Sequence, residues 1–210
     1  MKDITIPEHI QTIIFDLDGT LYCNKGLAKQ MVYRLWWCLP LLAAERRTRK
    51  RLENCRFASQ EEFYEAYFAA MAKGHWWSAK IARRWYEQVY MPTMIELIEI
   101  YCYPSFEVLN IVVLGLKRGL TMAVFSDYGC IKEKMETLGI NEGCFRCCID
   151  APSLGGLKPE KSLIEDLLKI LNAKPETTLF IGDRDDKDGE AARRVGAMYM
   201  RVQEFRRFEV

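Results

Sequence analysis

The chain has 210 residues, of which 50% are hydrophobic, and its 30 basic residues nearly balance its 29 acidic residues. This length allows one hydrophobic core and a smaller appended unit. A formal charge of +1 excludes a global field that would attract nucleic acid or an anionic membrane, so any anion site must be local.

The N-terminal residues show no basic cluster followed by an apolar segment, so we expect no secretory signal and a cytoplasmic protein. The most apolar stretch, residues 31–44, is interrupted by Arg34 and Pro40. It is shorter than the roughly 20 apolar residues that a membrane span requires, and no membrane partner is predicted. The eight cysteines lie mostly among apolar neighbours and are expected to be reduced core thiols.

The first predicted strand, Thr12–Phe15, is followed by Asp-Leu-Asp-Gly-Thr at 16–20. The segment from there to Tyr103 is rich in Trp, Tyr, Arg and Ala and contains no convincing strand. Because a crossover between parallel strands needs only a dozen or so residues, this segment is predicted to form a helical subdomain over the carboxyl ends of the strands. Its tryptophan pairs, at 36–37 and 76–77, are expected to fill the core of that subdomain, and the alternative is that one of these rings contacts a nucleobase or sugar of the substrate.

The second half of the chain alternates short β-rich runs with helical patterns, which is typical of a parallel α/β sheet. The predicted strands are Thr121–Phe125, Phe145–Ile149, Thr178–Ile181 and Ala197–Val202. The predicted helices, each followed or ended by Gly or Asn, are Ile131–Leu138, Glu160–Leu171 and Gly189–Val195. The strands are near-continuously apolar, as expected for a sheet that is covered on both faces.

Polar residues that suit phosphoryl transfer follow four of these strands. They are Asp16, Asp18, Ser126, Lys158, Asp183 and Asp188. Open parallel sheets bind ligands at the carboxyl ends of their strands, so these side chains are expected to converge. One aspartate, Asp16, could attack phosphorus to form an aspartyl-phosphate, and Asp18 could move the protons.

Crowded aspartates around a phosphate need a countercharge, because two like charges at 4 Å cost about 4 kcal/mol at an effective dielectric of 20. A hard divalent cation removes this cost, and ligands that are all oxygen favour magnesium over zinc. The Lys158 ammonium and the Ser126 hydroxyl can bind phosphate oxygens. Glycine at 19 and 182 allows close approach of the backbone.

Four motifs occur in order along the chain. They are Phe-Asp-Leu-Asp-Gly-Thr-Leu-Tyr at 15–22, Val-Phe-Ser at 124–126, Gly-Leu-Lys-Pro at 156–159 and Ile-Gly-Asp-Arg-Asp-Asp-Lys-Asp at 181–188. Together they resemble motifs I to IV of the haloacid dehalogenase-like hydrolases. The resemblance implies an α/β fold with a Rossmann-like parallel sheet in strand order 5-4-1-2-3 and an inserted α-helical cap of class 1. Residues 1–20 and 104–210 would form the core domain, and residues 21–103 the cap.

The resemblance also implies a role for each motif residue. Asp16 would be the nucleophile and Asp18 the general acid and base. The ligands of Mg2+ would be Asp16, Asp18 through its carbonyl, Asp183, and Asp188 directly or through water. The substrate phosphate-binding residues would be Thr20, which also supports the first motif's turn, Ser126 and Lys158.

The predicted function is a magnesium-dependent phosphatase that hydrolyses a small phosphomonoester through an aspartyl-phosphate. Asp18 argues against the dehalogenases and phosphonate-cleaving enzymes of this family, which typically lack an Asp there because no alkoxide leaving group needs a proton. A sugar phosphomutase, or a non-catalytic protein that binds a phosphorylated ligand on the same fold, remains an alternative. A phospho-receiver domain fits poorly, because its acceptor follows the third strand and it has no large insert.

Three further groups of charged or cysteine residues are expected to have structural roles. Asp127, Asp185 and Asp186 are expected to be solvated or helix-capping carboxylates. The basic run at 46–51 is interpreted as a solvated helix face, and nucleic-acid binding is not predicted. The Cys-x-x-Cys spacing at 144–147 has no second pair and no nearby His, so zinc is not predicted. The expected partner is a small phosphorylated metabolite of unspecified identity, and the oligomeric state is left open.

Overall fold

The computed structural model describes residues 6–204. Within them the strands are β1 (Thr12–Phe15), β2 (Tyr22–Cys23), β3 (Tyr103–Pro104), β4 (Thr121–Ser126), β5 (Cys147–Asp150), β6 (Thr178–Gly182) and β7 (Met198–Arg201). Five of them form one parallel sheet in the order β5-β4-β1-β6-β7, while β2 and β3 pair separately. Counted within the large sheet and read from β7, the order is 5-4-1-2-3. The predicted fold class is therefore confirmed.

Helices cover both faces of the sheet. They are α6 (Phe106–Lys117), α7 (Ile131–Thr137), α8 (Lys161–Leu171) and α9 (Glu190–Val195). Successive strand residues point to opposite faces, so Phe15 packs in one apolar cluster with residues of α6 and α7. Ile14 packs in the other, with residues of α8 and α9. β1 is buried along its whole length. It lies between β4 and β6, so its carboxyl end is at the middle of the sheet edge.

The segment between β2 and β3 is helical. It contains α1 (Leu27–Arg34), α2 (Leu39–Arg51), α3 (Gln60–Ala72), α4 (Ala79–Trp85) and α5 (Met91–Tyr101). An aromatic cluster joins α3 to the helical turn after α4, Tyr86–Tyr90, which continues into α5. In it Tyr67 and Tyr86 lie at a centroid distance of 5.8 Å. The segment leaves and re-enters the α/β core through the antiparallel pair β2–β3, in which Tyr22 lies opposite Pro104.

Several predicted boundaries are displaced by one or two residues. The third strand of the sheet begins at Cys147 instead of Phe145, because Phe145 ends the short 3-10 helix Glu142–Cys144 and its amide donates to the Glu142 carbonyl at 3.0 Å. Glu160 precedes its helix, since its carboxylate accepts hydrogen bonds from the amides of Ser162 at 3.2 Å and Leu163 at 2.8 Å. It is an N-cap, which satisfies amides that have no partner inside the helix.

The expectation that both tryptophan pairs fill the helical core is wrong for three of the four residues. Trp36, Trp37 and Trp76 are exposed, and only Trp77 is buried. The Trp77 ring NH donates to the Met71 carbonyl at 3.1 Å. Tyrosines and phenylalanines from α3 and the turn after α4 occupy the interior that the tryptophans were expected to fill.

Two further expectations concern cysteines and membranes. All eight cysteines are free thiols, two of them buried and six partly buried. No helix in the described range 6–204 has the length and apolar character needed to cross a membrane.

Candidate active site

The turn after β1 aims two carboxylates at the same site. Its backbone is fixed by a hydrogen bond from the Asp16 amide to the Ile181 carbonyl at 2.9 Å. Gly19 has a φ of 99°, a conformation that residues with a Cβ rarely adopt. A Cβ there would also lie 2.6 Å from Asp183 Oδ2. Thr20 then donates its hydroxyl to Asp16 Oδ2 at 3.1 Å, which orients the carboxylate.

Three aspartates from two neighbouring strand ends form a compact cluster. Asp16, Asp183 and Asp188 each offer an oxygen, and these oxygens all lie within 4.8 Å of one another. Lys158, which is only 3% exposed, places its ammonium 2.6 Å from Asp16 Oδ1 and 2.6 Å from Asp188 Oδ1. It also donates to the Phe125 carbonyl at 3.1 Å. The lysine therefore links the ends of β1, β4 and β6.

The cluster carries more negative charge than one lysine neutralises. Burial raises the pKa of Asp16 well above its ordinary value, against the opposing effect of Lys158, and the neighbouring aspartates raise it further. Burial and the Asp188 charge raise the pKa of Asp183 to about 6. Burial alone would lower the pKa of Lys158, but Asp16 and Asp188 raise it well above its usual value, so Lys158 stays cationic. An all-oxygen set with excess negative charge fits a hard divalent cation.

Gly182 allows Asp188 to reach this cluster. A Cβ at Gly182 would lie 2.2 Å from Asp188 Oδ2, closer than any real contact. We expect Gly182→Ala to displace Asp188, to lower catalytic activity at least about tenfold and to destabilise the fold by about 1–3 kcal/mol. Gly129→Ala is the control, because its Cβ would meet only the Tyr64 hydroxyl at 3.9 Å. Equal kinetics and equal urea unfolding curves for the two variants would contradict this steric argument.

Asp18 lies beside the aspartate cluster and has its own set of donors. Its Oδ1 accepts from the Lys134 ammonium at 2.7 Å and from the Tyr22 hydroxyl at 2.5 Å. Its Oδ2 accepts from the Ser126 hydroxyl at 2.7 Å. Burial alone would raise the pKa of Asp18, but Lys134, Tyr22 and Ser126 together hold it below its ordinary value. In this arrangement Asp18 is a carboxylate.

The sequence-predicted site residues therefore fall into two adjoining groups. One group contains Asp16, Thr20, Lys158, Asp183 and Asp188, and the other contains Asp18 and Ser126. Gly19 joins the groups, because it sits between Asp18 and Thr20 in the turn and directly against Asp183.

The interpretation of Asp127 as a solvated or capping carboxylate is wrong. Its Oδ1 accepts from the Lys158 amide at 2.8 Å, and its Oδ2 lies 3.7 Å from the ammonium of buried Lys187. Asp127 thereby holds the Lys158 backbone in place. Asp185 and Asp186 are exposed, as predicted.

The basic run at 46–51 is only partly a solvated face. Arg49 is partly buried and donates to the Asp127 carbonyl at 2.9 Å. Its guanidinium also pairs with Glu45 at 3.0 Å and lies 3.8 Å from the centroid of the Tyr128 ring. α2 therefore contributes a cation to the rim of the site, whereas its other basic residues are exposed.

Sequence reasoning missed Tyr22, Arg49, Lys134 and Lys187 as residues of this site. A signal for Lys134 exists in the apolar stripe of α7, where Ile131, Lys134 and Met135 follow helical spacing and all three are buried. A lysine in a core-facing position needs an anionic partner. The sequence does not say which carboxylate that partner is.

A family comparison finds a match over most of the chain. Residues 10–196 match the haloacid dehalogenase-like hydrolases. No curated protein matches the sequence.

Solved structures of low sequence identity share the fold. A HAD phosphatase from Thermococcus onnurineus has a TM-score of 0.58 at 15% identity, covering 90% of this chain and 85% of that chain. The HAD-hydrolase YfnB from Bacillus subtilis bound to magnesium has a TM-score of 0.60 at 13% identity, covering 90% and 87%. The L-2-haloacid dehalogenase from Xanthobacter autotrophicus has a TM-score of 0.59 at 15% identity, covering 91% and 77%. At these identities the similarity concerns the fold alone.

Proposed function

This chain belongs to the haloacid dehalogenase-like hydrolases, and on that premise we propose that it is a magnesium-dependent phosphatase acting on a small phosphomonoester. The observation that carries the proposal is the Asp16–Lys158–Asp188 cluster beside Asp18. There, a buried carboxylate nucleophile, a buried cation and two further carboxylates meet at the ends of neighbouring strands.

The proposed chemistry has two steps. In the first, an oxygen of Asp16 attacks phosphorus, the bond from phosphorus to the ester oxygen breaks, and Asp18, which takes up a proton when the anionic substrate binds, gives that proton to the departing alcohol. In the second, water attacks the aspartyl-phosphate, Asp18 takes a proton from that water, and inorganic phosphate leaves as the Asp16 carboxylate is restored. The donors around Asp18 favour its carboxylate form, which is the form that the second step requires.

Phosphate binding is assigned to groups that already point into the site. Lys158 and the Ser126 hydroxyl would bind phosphate oxygens, exchanging part of their present contacts with Asp16, Asp188 and Asp18 for contacts with the substrate. Thr20 would act mainly by orienting Asp16, to which its hydroxyl already donates.

Magnesium would be held by Asp16, Asp183, Asp188 and the Asp18 carbonyl. The oxygen-only donor set and its excess negative charge support this assignment. When bound, the ion would supply the positive charge that lets an anionic phosphate enter a cluster of carboxylates.

The helical segment at 21–103 is proposed to act as a cap over a core domain of residues 1–20 and 104–210. The antiparallel pair β2–β3, through which the segment leaves and re-enters the core, supports this division. Three contacts join the two parts. Arg49 reaches the Asp127 carbonyl, Glu53 pairs with Lys187 at 2.8 Å, and the Phe57 amide donates to the Gly155 carbonyl at 2.8 Å. Because Asp16 is almost fully buried, the substrate must enter by a separation of these contacts.

Rival activities make different demands on the site. A dehalogenase has no alkoxide to protonate, so a second aspartate with three donors would have no task there. A sugar phosphomutase needs the same residues as a phosphatase but returns an isomerised sugar phosphate instead of inorganic phosphate. A binding protein without turnover would not require a buried nucleophile paired with a buried lysine.

The proposal predicts magnesium-dependent release of phosphate from at least one of a panel of sugar, nucleotide and glycolytic phosphomonoesters. EDTA should abolish the release and added magnesium should restore it, since the carboxylates would otherwise repel the substrate. Product analysis by 31P NMR separates hydrolysis from isomerisation. Release that persists in EDTA would contradict the metal assignment, and isomerised product without phosphate would replace the phosphatase by a mutase.

A further inference from the structure

Lys134 is a fully buried lysine with one carboxylate contact. It has 0% of its surface exposed, and its ammonium lies 2.7 Å from Asp18 Oδ1. Its ammonium also lies 5.2 Å from the centroid of the Tyr128 ring. Burying an ammonium costs several kcal/mol unless a partner compensates it. Packing alone does not require this charge, because the flanking core positions of α7 are the apolar Ile131 and Met135.

Tyr22 approaches the same oxygen from a different part of the fold. It lies on β2, just after the turn that carries Asp18, and its hydroxyl donates to Oδ1 at 2.5 Å. The two donors thus come from α7 and from β2, which are far apart in the sequence. A carboxylate oxygen with two such donors is fixed in position and has little capacity left to exchange a proton.

The other oxygen of Asp18 is in a different situation. Oδ2 accepts from the Ser126 hydroxyl at 2.7 Å, and Ser126 is itself proposed to bind substrate phosphate. The Ser126 oxygen also accepts a hydrogen bond from the Tyr128 amide at 3.0 Å, which fixes its position. When phosphate takes the Ser126 hydroxyl, Oδ2 is the oxygen that is left facing the substrate.

We propose that Lys134 and Tyr22 are positioning residues that clamp Asp18 by Oδ1, so that Oδ2 is the oxygen that transfers the proton to the leaving alcohol. This inference rests on the proposed phosphatase function and deepens it. The clamp matters because general acid catalysis depends on the distance and direction between the acid and the leaving oxygen.

The way in which kcat/KM depends on the leaving group of the ester tests the clamp. An alkyl alcohol needs a proton from Asp18 to leave, whereas p-nitrophenolate leaves without one. The ratio kcat/KM includes the steps up to departure of the alcohol and excludes the later activation of water. A residue that only stabilises the fold, or only binds phosphate, lowers kcat/KM equally for both esters.

The experiment compares p-nitrophenyl phosphate with glycerol 3-phosphate, or with the alkyl monoester of the panel that is hydrolysed fastest. Lys134→Met keeps the apolar stripe of α7, and Tyr22→Phe removes only a hydroxyl. For Lys134→Met we expect kcat/KM for the alkyl ester to fall at least about tenfold more than for the nitrophenyl ester, since general acids contribute about 10²- to 10⁴-fold. Tyr22→Phe should shift the ratio in the same direction by about threefold, because the charged donor remains.

Matched controls are Lys132→Met, an exposed lysine on the same helix, and Tyr33→Phe, an exposed tyrosine. Neither should change the ratio of the two kcat/KM values. If Lys134→Met does not fold, as judged by circular dichroism, Tyr22→Phe decides the question.

Two results would overturn the inference separately from the proposed function. One is an equal fall for both esters in folded variants, and the other is a smaller fall for the alkyl ester. In both cases the wild type would still hydrolyse the esters with magnesium and Asp16→Asn would still be inactive. If the wild type hydrolysed neither ester, the proposed function would fail and the clamp would fail with it.

Discussion

Asp16→Asn should lower magnesium-dependent phosphate release at least about a thousandfold, which corresponds to about 4 kcal/mol in activation free energy. The amide has nearly the shape of the carboxylate but cannot attack phosphorus or form the aspartyl-phosphate. In this variant Lys158 keeps its 2.6 Å contact with Asp188, so its buried ammonium is not left without a partner. The variant should therefore fold normally, and release of phosphate from the best ester of the panel measures the effect.

The matched control is Asp186→Asn. Asp186 lies in the fourth motif close to Asp183 in the sequence, but it is exposed and pairs with Arg184. Its replacement should leave kcat within about twofold of the wild type, as surface substitutions away from a site usually do. Intact-mass measurement guards against deamidation of the new Asn. If Asp16→Asn released phosphate as fast as Asp186→Asn, Asp16 would not be the nucleophile.

Lys158→Met should have the second largest effect, on both stability and activity. The ammonium separates two buried carboxylates by contacts of 2.6 Å to each. Removing one partner of a buried ion pair typically costs about 3–5 kcal/mol, because a charge is left without compensation. We expect a loss of this size in the free energy of unfolding, measured by urea titration in EDTA, and a fall in kcat/KM of at least about a hundredfold.

Lys161→Met is the control for this change. Lys161 lies three residues further on, is exposed and pairs with Glu165 of its own helix at 3.6 Å. An exposed pair of this kind contributes less than about 1 kcal/mol, so the control should unfold and turn over like the wild type. Equal unfolding curves for the two variants would show that Lys158 does not compensate Asp16 and Asp188.

The sheet and the carboxylate cluster could be predicted because their determinants are local. Each strand of the sheet is a short apolar run followed by a polar motif, and parallel strands bring their carboxyl ends to one edge. Asp16, Asp183 and Asp188 come from two such ends, and the structure places their oxygens within 4.8 Å. Gly19 and Gly182 were recognised because each is next to a motif aspartate in the sequence. Only the structure shows that a Cβ at Gly19 would collide with Asp183, and a Cβ at Gly182 with Asp188.

The surroundings of Asp18 could not be predicted in the same way. Lys134 lies 116 positions from Asp18, and no spacing rule connects a helix residue to a turn at that separation. Arg49 appeared as one member of a uniformly basic run, and only the packing of α2 against Tyr67 and Tyr128 selects it from its neighbours. The exposed tryptophans show the same limit for hydrophobic residues. A hydrophobic residue type alone does not indicate which side of a helix packs inward.

The sequence by itself determined the α/β fold class and the motif residues at the strand ends, because periodicity and motif order are properties of short segments. The strand order was implied only by the resemblance of the four motifs to the haloacid dehalogenase-like hydrolases. The tertiary structure decided which donors hold each carboxylate: Lys158 between Asp16 and Asp188, and Lys134 with Tyr22 on Asp18. A buried charge takes whichever opposite charge the packing of distant elements brings within hydrogen-bond distance, and that packing is a property of the whole fold.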